Sequence, residues 1–100
     1  MYIINTTFVC NNTDYHDVAE WIKDTYIPAF MATRNFTGSR LAKVLENHDP
    51  ETISLACELH CPSLSVAMTA CNTLTPQLFE QLAAKYNQTV LHFTTVLKTI

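Results

Sequence analysis

The chain has 100 residues, 48% of them apolar and only 15% charged, with a formal net charge of -3 at neutral pH. That length supports one domain, residues 1–100, with a modest core that needs neither metal nor disulfide staples. The six basic residues (Lys23, Arg34, Arg40, Lys43, Lys85, Lys98) are too scattered to form the stripe that displaces counterions from nucleic acid, and no run of about eighteen apolar residues offers a membrane span.

Residues 2–10, YIINTTFVC, are rich in β-branched and aromatic side chains and read as a first strand. Both of its parities are apolar, with Tyr2, Ile4 and Phe8 on one and Ile3 and Val9 on the other. Residues 11–14 make a turn, where Thr13 or Asp14 is placed to cap a helix. In that helix Val18, Trp21, Ile22 and Tyr26 form an apolar stripe, opposite a wet face of Asp17, Glu20, Lys23 and Asp24. Pro28 predicts a kink followed by a further turn or two, and Asn35 a left-handed stop. Residues 37–46 read as a second strand of ambiguous parity, closed by the turn cluster Asn47-His48-Asp49-Pro50.

The strongest periodicity lies in ETISLACELHC, residues 51–61, where Ile53, Leu55, Cys57, Leu59 and Cys61 alternate with Thr52, Ser54, Ala56, Glu58 and His60. This is the period of a strand with one face on a core. Pro62 and Ser63 then open a helix with Leu64, Ala67, Met68 and Cys71 inward. Thr75-Pro76 predicts a restart, with threonine as cap and proline at the first helical position. Leu78, Phe79, Leu82 and Tyr86 continue the stripe to Asn87. Residues 89–99 are the last strand, with Leu91, Phe93 and Leu97 on one parity and Val90, Val96 and Ile100 on the other.

The order β-α-β-β-α-β with right-handed crossovers predicts a ferredoxin-like α+β fold, a four-stranded antiparallel sheet carrying both helices on one face. Because the first and last strands are apolar on both parities, the second face needs a lid. The expected lid is a second copy packed sheet against sheet, through Val90, Val96, Ile100, Ala56 and Ser54. Burying each large aliphatic side chain is worth about 1.5–3 kcal/mol, against an association cost of about 4–15 kcal/mol. One parity of the first strand is therefore needed as well. Glu58, His60 and Arg40, with His92 assigned to the same face, outline a candidate cleft suited to acid–base chemistry on a small-molecule ligand. The plainer alternative pairs Glu58 with Arg40 or the partner's Lys98 and leaves the histidines as edge residues.

Cys57 and Cys61 are four residues apart on a strand, about 13 Å, beyond the roughly 7 Å that a disulfide spans. No C-x-x-C occurs among the four cysteines. Buried free thiols in a reducing compartment are the expected state. Together with a start, MYIINTTFVC, that lacks a basic leader, this points to a cytoplasmic protein. His60 and Cys61 are neighbours on a strand and point to opposite faces, so no metal site is expected. His16 and His48 fall in a helix start and a turn, and Trp21, Met31 and Met68 suit core packing. No Gly-rich phosphate loop and no G-x-S-x-G is present. No catalytic residue and no cofactor is assigned.

MYIINTTF, IPAFMATRNFTGSRLAKVLE (residues 27–46), ISLACELHCPSL (residues 53–64) and VLHFTTVLKTI (residues 90–100) resemble an uncharacterised bacterial family of short proteins known only as a domain of unknown function. The resemblance implies a ferredoxin-like, dimeric α+β-barrel fold and brings no catalytic residues with it. SVAMTACNTLTP, residues 65–76, departs from it, being chargeless where an acidic helix is implied. The expected function is that of a small homodimeric binding or interaction protein. The alternatives are a cofactor-independent oxygenase- or isomerase-like enzyme acting on a small apolar ligand between the sheets and, third, a haem-binding protein.

Overall fold

The computed structural model describes residues 1–46 and 49–100. Its elements are β1 (Tyr2–Asn11), α1 (Tyr15–Trp21), a wider π-helical stretch (Ile22–Tyr26), α2 (Ile27–Met31), β2 (Gly38–Lys43), β3 (Thr52–Cys61), α3 (Leu64–Tyr86) and β4 (Leu91–Lys98). The four strands form one antiparallel sheet in the order β2-β3-β1-β4. This is the ferredoxin-like arrangement. Of the turn expected between β2 and β3, Asn47 and His48 lie outside the described residues.

The faces of the sheet follow from register, because residues directly opposite on paired strands point the same way. Ile4 lies between Leu59 and Val96, Thr6 between Cys57 and Thr94, and Phe8 between Leu55 and His92. These residues face the helices, and those from β1 and β3 are buried. β4 therefore sits with the opposite parity to that expected. Val96 packs against the core, as does Val90 just before the strand, while Leu91, Phe93 and Leu97 point away from the helices. Parity could not be chosen from β4 alone, since both of its sides are apolar. The neighbouring strand chose it.

The first helical segment buries Val18, Ile22, Tyr26 and Phe30, a repeat of four. In a regular α-helix such a stripe drifts by about 40° per step. The wide turn, in which the Ile27 N–H reaches the Ile22 carbonyl, holds more residues and brings Tyr26 and Phe30 back over the sheet. It also lies directly before Pro28, which has no N–H to give and whose ring would strike the carbonyl four residues back. The left-handed stop falls on Arg34, with φ 63°, rather than on Asn35.

α3 starts as expected, with the Val66 N–H donating to the Ser63 hydroxyl at 3.4 Å, and ends on Asn87 in the left-handed region. It does not restart at Thr75-Pro76. Ala67, Ala70, Leu78 and Leu82 form one buried stripe across the proline, and that continuous packing outweighs one missing backbone bond. The Thr75 hydroxyl caps nothing and instead donates to the Cys71 carbonyl. Leu64 and Met68, expected inside, are exposed because this stripe turns them outward.

At the centre Phe8 meets Tyr26 edge-on at 5.2 Å and Phe79 at 6.1 Å. Thr6 is the polar exception. It is wholly buried, and its hydroxyl bonds the Tyr26 hydroxyl at 3.0 Å and that of Thr94 at 2.8 Å. Thr6→Val leaves the buried phenol of Tyr26 without its partner and is expected to cost about 1–3 kcal/mol. Adding Tyr26→Phe should recover part of that loss. A double-mutant cycle by urea unfolding checks the recovery, and strict additivity of the two losses would disprove the pairing.

Candidate functional site

The side of the sheet turned away from the helices carries the candidate site. Its rows, read across β2, β3, β1 and β4, are Gly38–His60–Ile3–Leu97, Arg40–Glu58–Asn5–Thr95 and Ala42–Ala56–Thr7–Phe93, with Ser54–Val9–Leu91 beyond. The surface is divided lengthwise. The β2–β3 half is small or charged, and the β1–β4 half is mostly bulky and apolar. On the second half Leu91 is 65% exposed, Phe93 61% and Leu97 40%.

Three of the four expected cleft residues meet in the charged half. The Arg40 guanidinium donates through Nη2 to Glu58 Oε2 at 3.0 Å, and His60 Nε2 lies 3.1 Å from Glu58 Oε1. A carboxylate only accepts, so the proton in this second bond sits on Nε2 and a neutral ring keeps Nδ1 free. Alternation places the three side chains on one face, and the β2–β3 register sets Arg40 opposite Glu58. Glu58 thus has both oxygens engaged. The Arg40 pairing anticipated as the plainer alternative is present, and such exposed pairs contribute little stability.

His92 does not join them. It lies on the helix side, its ring stacked on Phe79 at 3.8 Å. Ser54 and Ala56 occupy the open face as expected. The other expected interface residues do not: Val90 and Val96 belong to the core side, and Ile100 lies beyond the end of β4, fully exposed. Leu91, Phe93 and Leu97 occupy the open face of β4 instead.

All four cysteines are free. Burial, with a smaller contribution from the neighbouring Glu58 charge, pushes the Cys57 thiol up to about 12, and burial likewise raises Cys10 and Cys71. These groups are moved away from the thiolate that nucleophilic chemistry requires. Among the described residues no three His, Cys, Asp or Glu side chains gather to hold a metal ion, and no helix is long and apolar enough to cross a membrane. A groove of about 290 Å³ between α3 and the segment after α2, floored by Phe36, Val66 and Ala70, escaped the sequence reading. The four-residue spacing of Ser65, Thr69 and Thr73 in a chargeless stretch was its only signal.

The family described as "Domain of unknown function (DUF4286)" matches over residues 1–100. The fold is similar to that of a dimeric ferredoxin-like protein from an uncultured marine organism, at 12% identity and TM-score 0.64 over 99% of this chain and 94% of that one. A putative PII-like signaling protein from Thermus thermophilus is similar at 13% identity and TM-score 0.51, over 100% and 90% of the two chains. A de novo designed protein with a ferredoxin fold is similar at 13% identity and TM-score 0.57, over 100% and 88%. At these identities the likeness is one of fold. No curated protein matches the sequence.

Desolvation against Phe79 holds the His92 imidazole below its ordinary value. Between that lowered value and about 6.5 the unfolded chain binds more protons than the folded one, so stability is lost as pH falls through this window. Urea midpoints taken at pH 7.5 and 5.5 should drop further for the wild type than for His92→Gln. Equal drops would mean that the ring is not desolvated.

Proposed function

Since the chain belongs to this family of domains of unknown function, we propose that it is a small homodimeric binding or interaction protein whose dimer forms through the open sheet face. One observation carries the reading. Leu91, Phe93 and Leu97 stand exposed on a face shared with Ile3 and Val9, in two apolar groups on either side of Asn5 and Thr95, and exposed apolar surface of this kind marks association. The relative described as dimeric and ferredoxin-like supports it. Arg40, Glu58 and His60 flank the apolar half and supply the polar contacts for a small ligand held between the subunits. Free, buried thiols suit a cytoplasmic location, and a bacterial source rests on the sequence resemblance.

A second reading, a cofactor-independent enzyme, draws on the Glu58–His60 pair, a carboxylate and an imidazole at hydrogen-bond distance. Native mass spectrometry separates the two. A co-purified small molecule whose mass changes on incubation with the wild type and not with His60→Ala supports the enzyme, and an empty dimer or a ligand retained unchanged supports the binding or interaction protein.

Light scattering at micromolar concentration should report twice the 11.3 kDa of the chain. Phe93→Glu removes an exposed aromatic from both sides of the interface at about 1.5–3 kcal/mol each. The dimer dissociation constant should therefore rise by roughly a hundredfold or more, with the circular dichroism of the subunit retained. A monomeric wild type would sink the proposal.

A further inference from the structure

The groove between α3 and residues 33–36 lies on the helix side of the sheet, away from Arg40, Glu58 and His60, and holds about 290 Å³. That volume is at the lower end of the range for pockets that enclose small ligands. Both walls are fixed. On one side the buried stripe of α3, with Ala67 and Ala70, pins the helix to the sheet. On the other, Phe36 is buried edge-on against Phe30 at 5.4 Å, and the Thr37 N–H donates to the His60 carbonyl at 2.8 Å. The Thr33 hydroxyl donates to the Phe30 carbonyl at 2.7 Å and accepts the Asn35 N–H at 3.3 Å. The walls are thus held apart by their own packing, and the groove is formed before any ligand arrives.

Its lining combines an apolar floor with an uncharged rim. Phe36, Val66, Ala70 and Leu74 supply the floor, and no Asp, Glu, Lys or Arg lines it. None occurs in the chain between Glu58 and Glu80. Arg34, whose left-handed φ of 63° turns the chain, leaves Asn35 rather than itself in the lining. An ion entering here would give up its water without meeting an opposite charge, which excludes charged ligands. A purely apolar ligand suits the site no better, because it would cover polar groups of the rim that have nothing else to bond. The Thr33 hydroxyl is used up within its own turn. The Ser65 hydroxyl is bonded to that of Ser63 at 2.9 Å, and the Thr73 hydroxyl donates to the Thr69 carbonyl at 2.8 Å. The Asn35 carboxamide and the Thr69 hydroxyl, by contrast, have no hydrogen-bond partner among the described residues. Each of these two groups can both donate and accept.

We propose that this groove binds a small uncharged molecule with a compact apolar body and one edge that both donates and accepts hydrogen bonds, as a primary amide does. The body lies on Phe36, Val66, Ala70 and Leu74, and the edge meets Asn35 and Thr69. A mostly apolar pocket with a few placed polar groups gains affinity from the first and orientation from the second. The site is complete in one subunit and does not depend on the sheet-face dimer.

Benzamide and benzoate, which share a shape and differ in charge, are the probes. Titration of the labelled protein with benzamide, followed by the backbone amide resonances, should give saturable shifts at Phe36, Thr69, Ala70 and Thr73. Benzoate at the same concentrations should give none there. Asn35→Ala, at an exposed position, should weaken benzamide by about two- to tenfold. Thr69→Phe, which fills the groove from its rim, should abolish the response, whereas Gln77→Phe, exposed on the same helix outside the groove, should bind as the wild type does. No saturable response to benzamide, an equal response to benzoate, or a response that survives Thr69→Phe overturns the proposal. So does broadening of the same resonances with protein concentration alone, which would mean that a second copy occupies the groove.

Discussion

The full-length ladder between β1 and β3, from Tyr2–Cys61 at one end to Asn11–Thr52 at the other, is the constraint on which the rest hangs. A shift by one residue would exchange every side chain on the central strands between core and open face. Leu55, Cys57 and Leu59 hold the register on β3, and Ile4 and Phe8 hold it on β1, because each slipped register would bury Glu58 or Asn5 under the helices. With that pair set, β2 and β4 inherit their parity by hydrogen bonding. The chemistry of the open face is thus decided at the centre of the sheet.

That dependence explains what could be read from the sequence. β3 was legible in full, since its alternation is strict and its polar side carries Glu58 and His60. The elements and their order were legible too, from Ser63 as cap, Asn87 as stop and the apolar stripes of the helices. β4 was not, because Leu91, Phe93 and Leu97 compete with Val90 and Val96 for the core, and its one charge, Lys98 at the strand end, shares the parity of Val96 and so points the wrong way. The register against β1 supplies the missing information, and register is a long-range property. His92 left the candidate site for the same reason, whereas Arg40, Glu58 and His60 stayed together because Glu58 and His60 share a strand face and Arg40 lies opposite Glu58.

The misread helix points to another kind of non-local cause. Thr75-Pro76 has the local chemistry of a helix start, yet Ala70, Leu78 and Leu82 lie on one line across the sheet, and burying them together outweighs the break. In the first helical segment the reverse holds. Pro28 was expected to interrupt the stripe, and the wide turn at Ile22–Tyr26 accommodates it while returning Tyr26 to Phe8 and Thr6. Local punctuation decides a helix only where packing is indifferent to the outcome.

The open face itself has an uneven design that a solvated sheet would not need. Water would accept polar residues on β1 and β4 as readily as on β3. Half a face of apolar side chains gives modest driving force, and association removes much of it through lost translational and rotational freedom. Under that limit affinity depends on fit more than on area: a bulky half must find a small half, and the Arg40–Glu58 pair must find polar company rather than hydrocarbon.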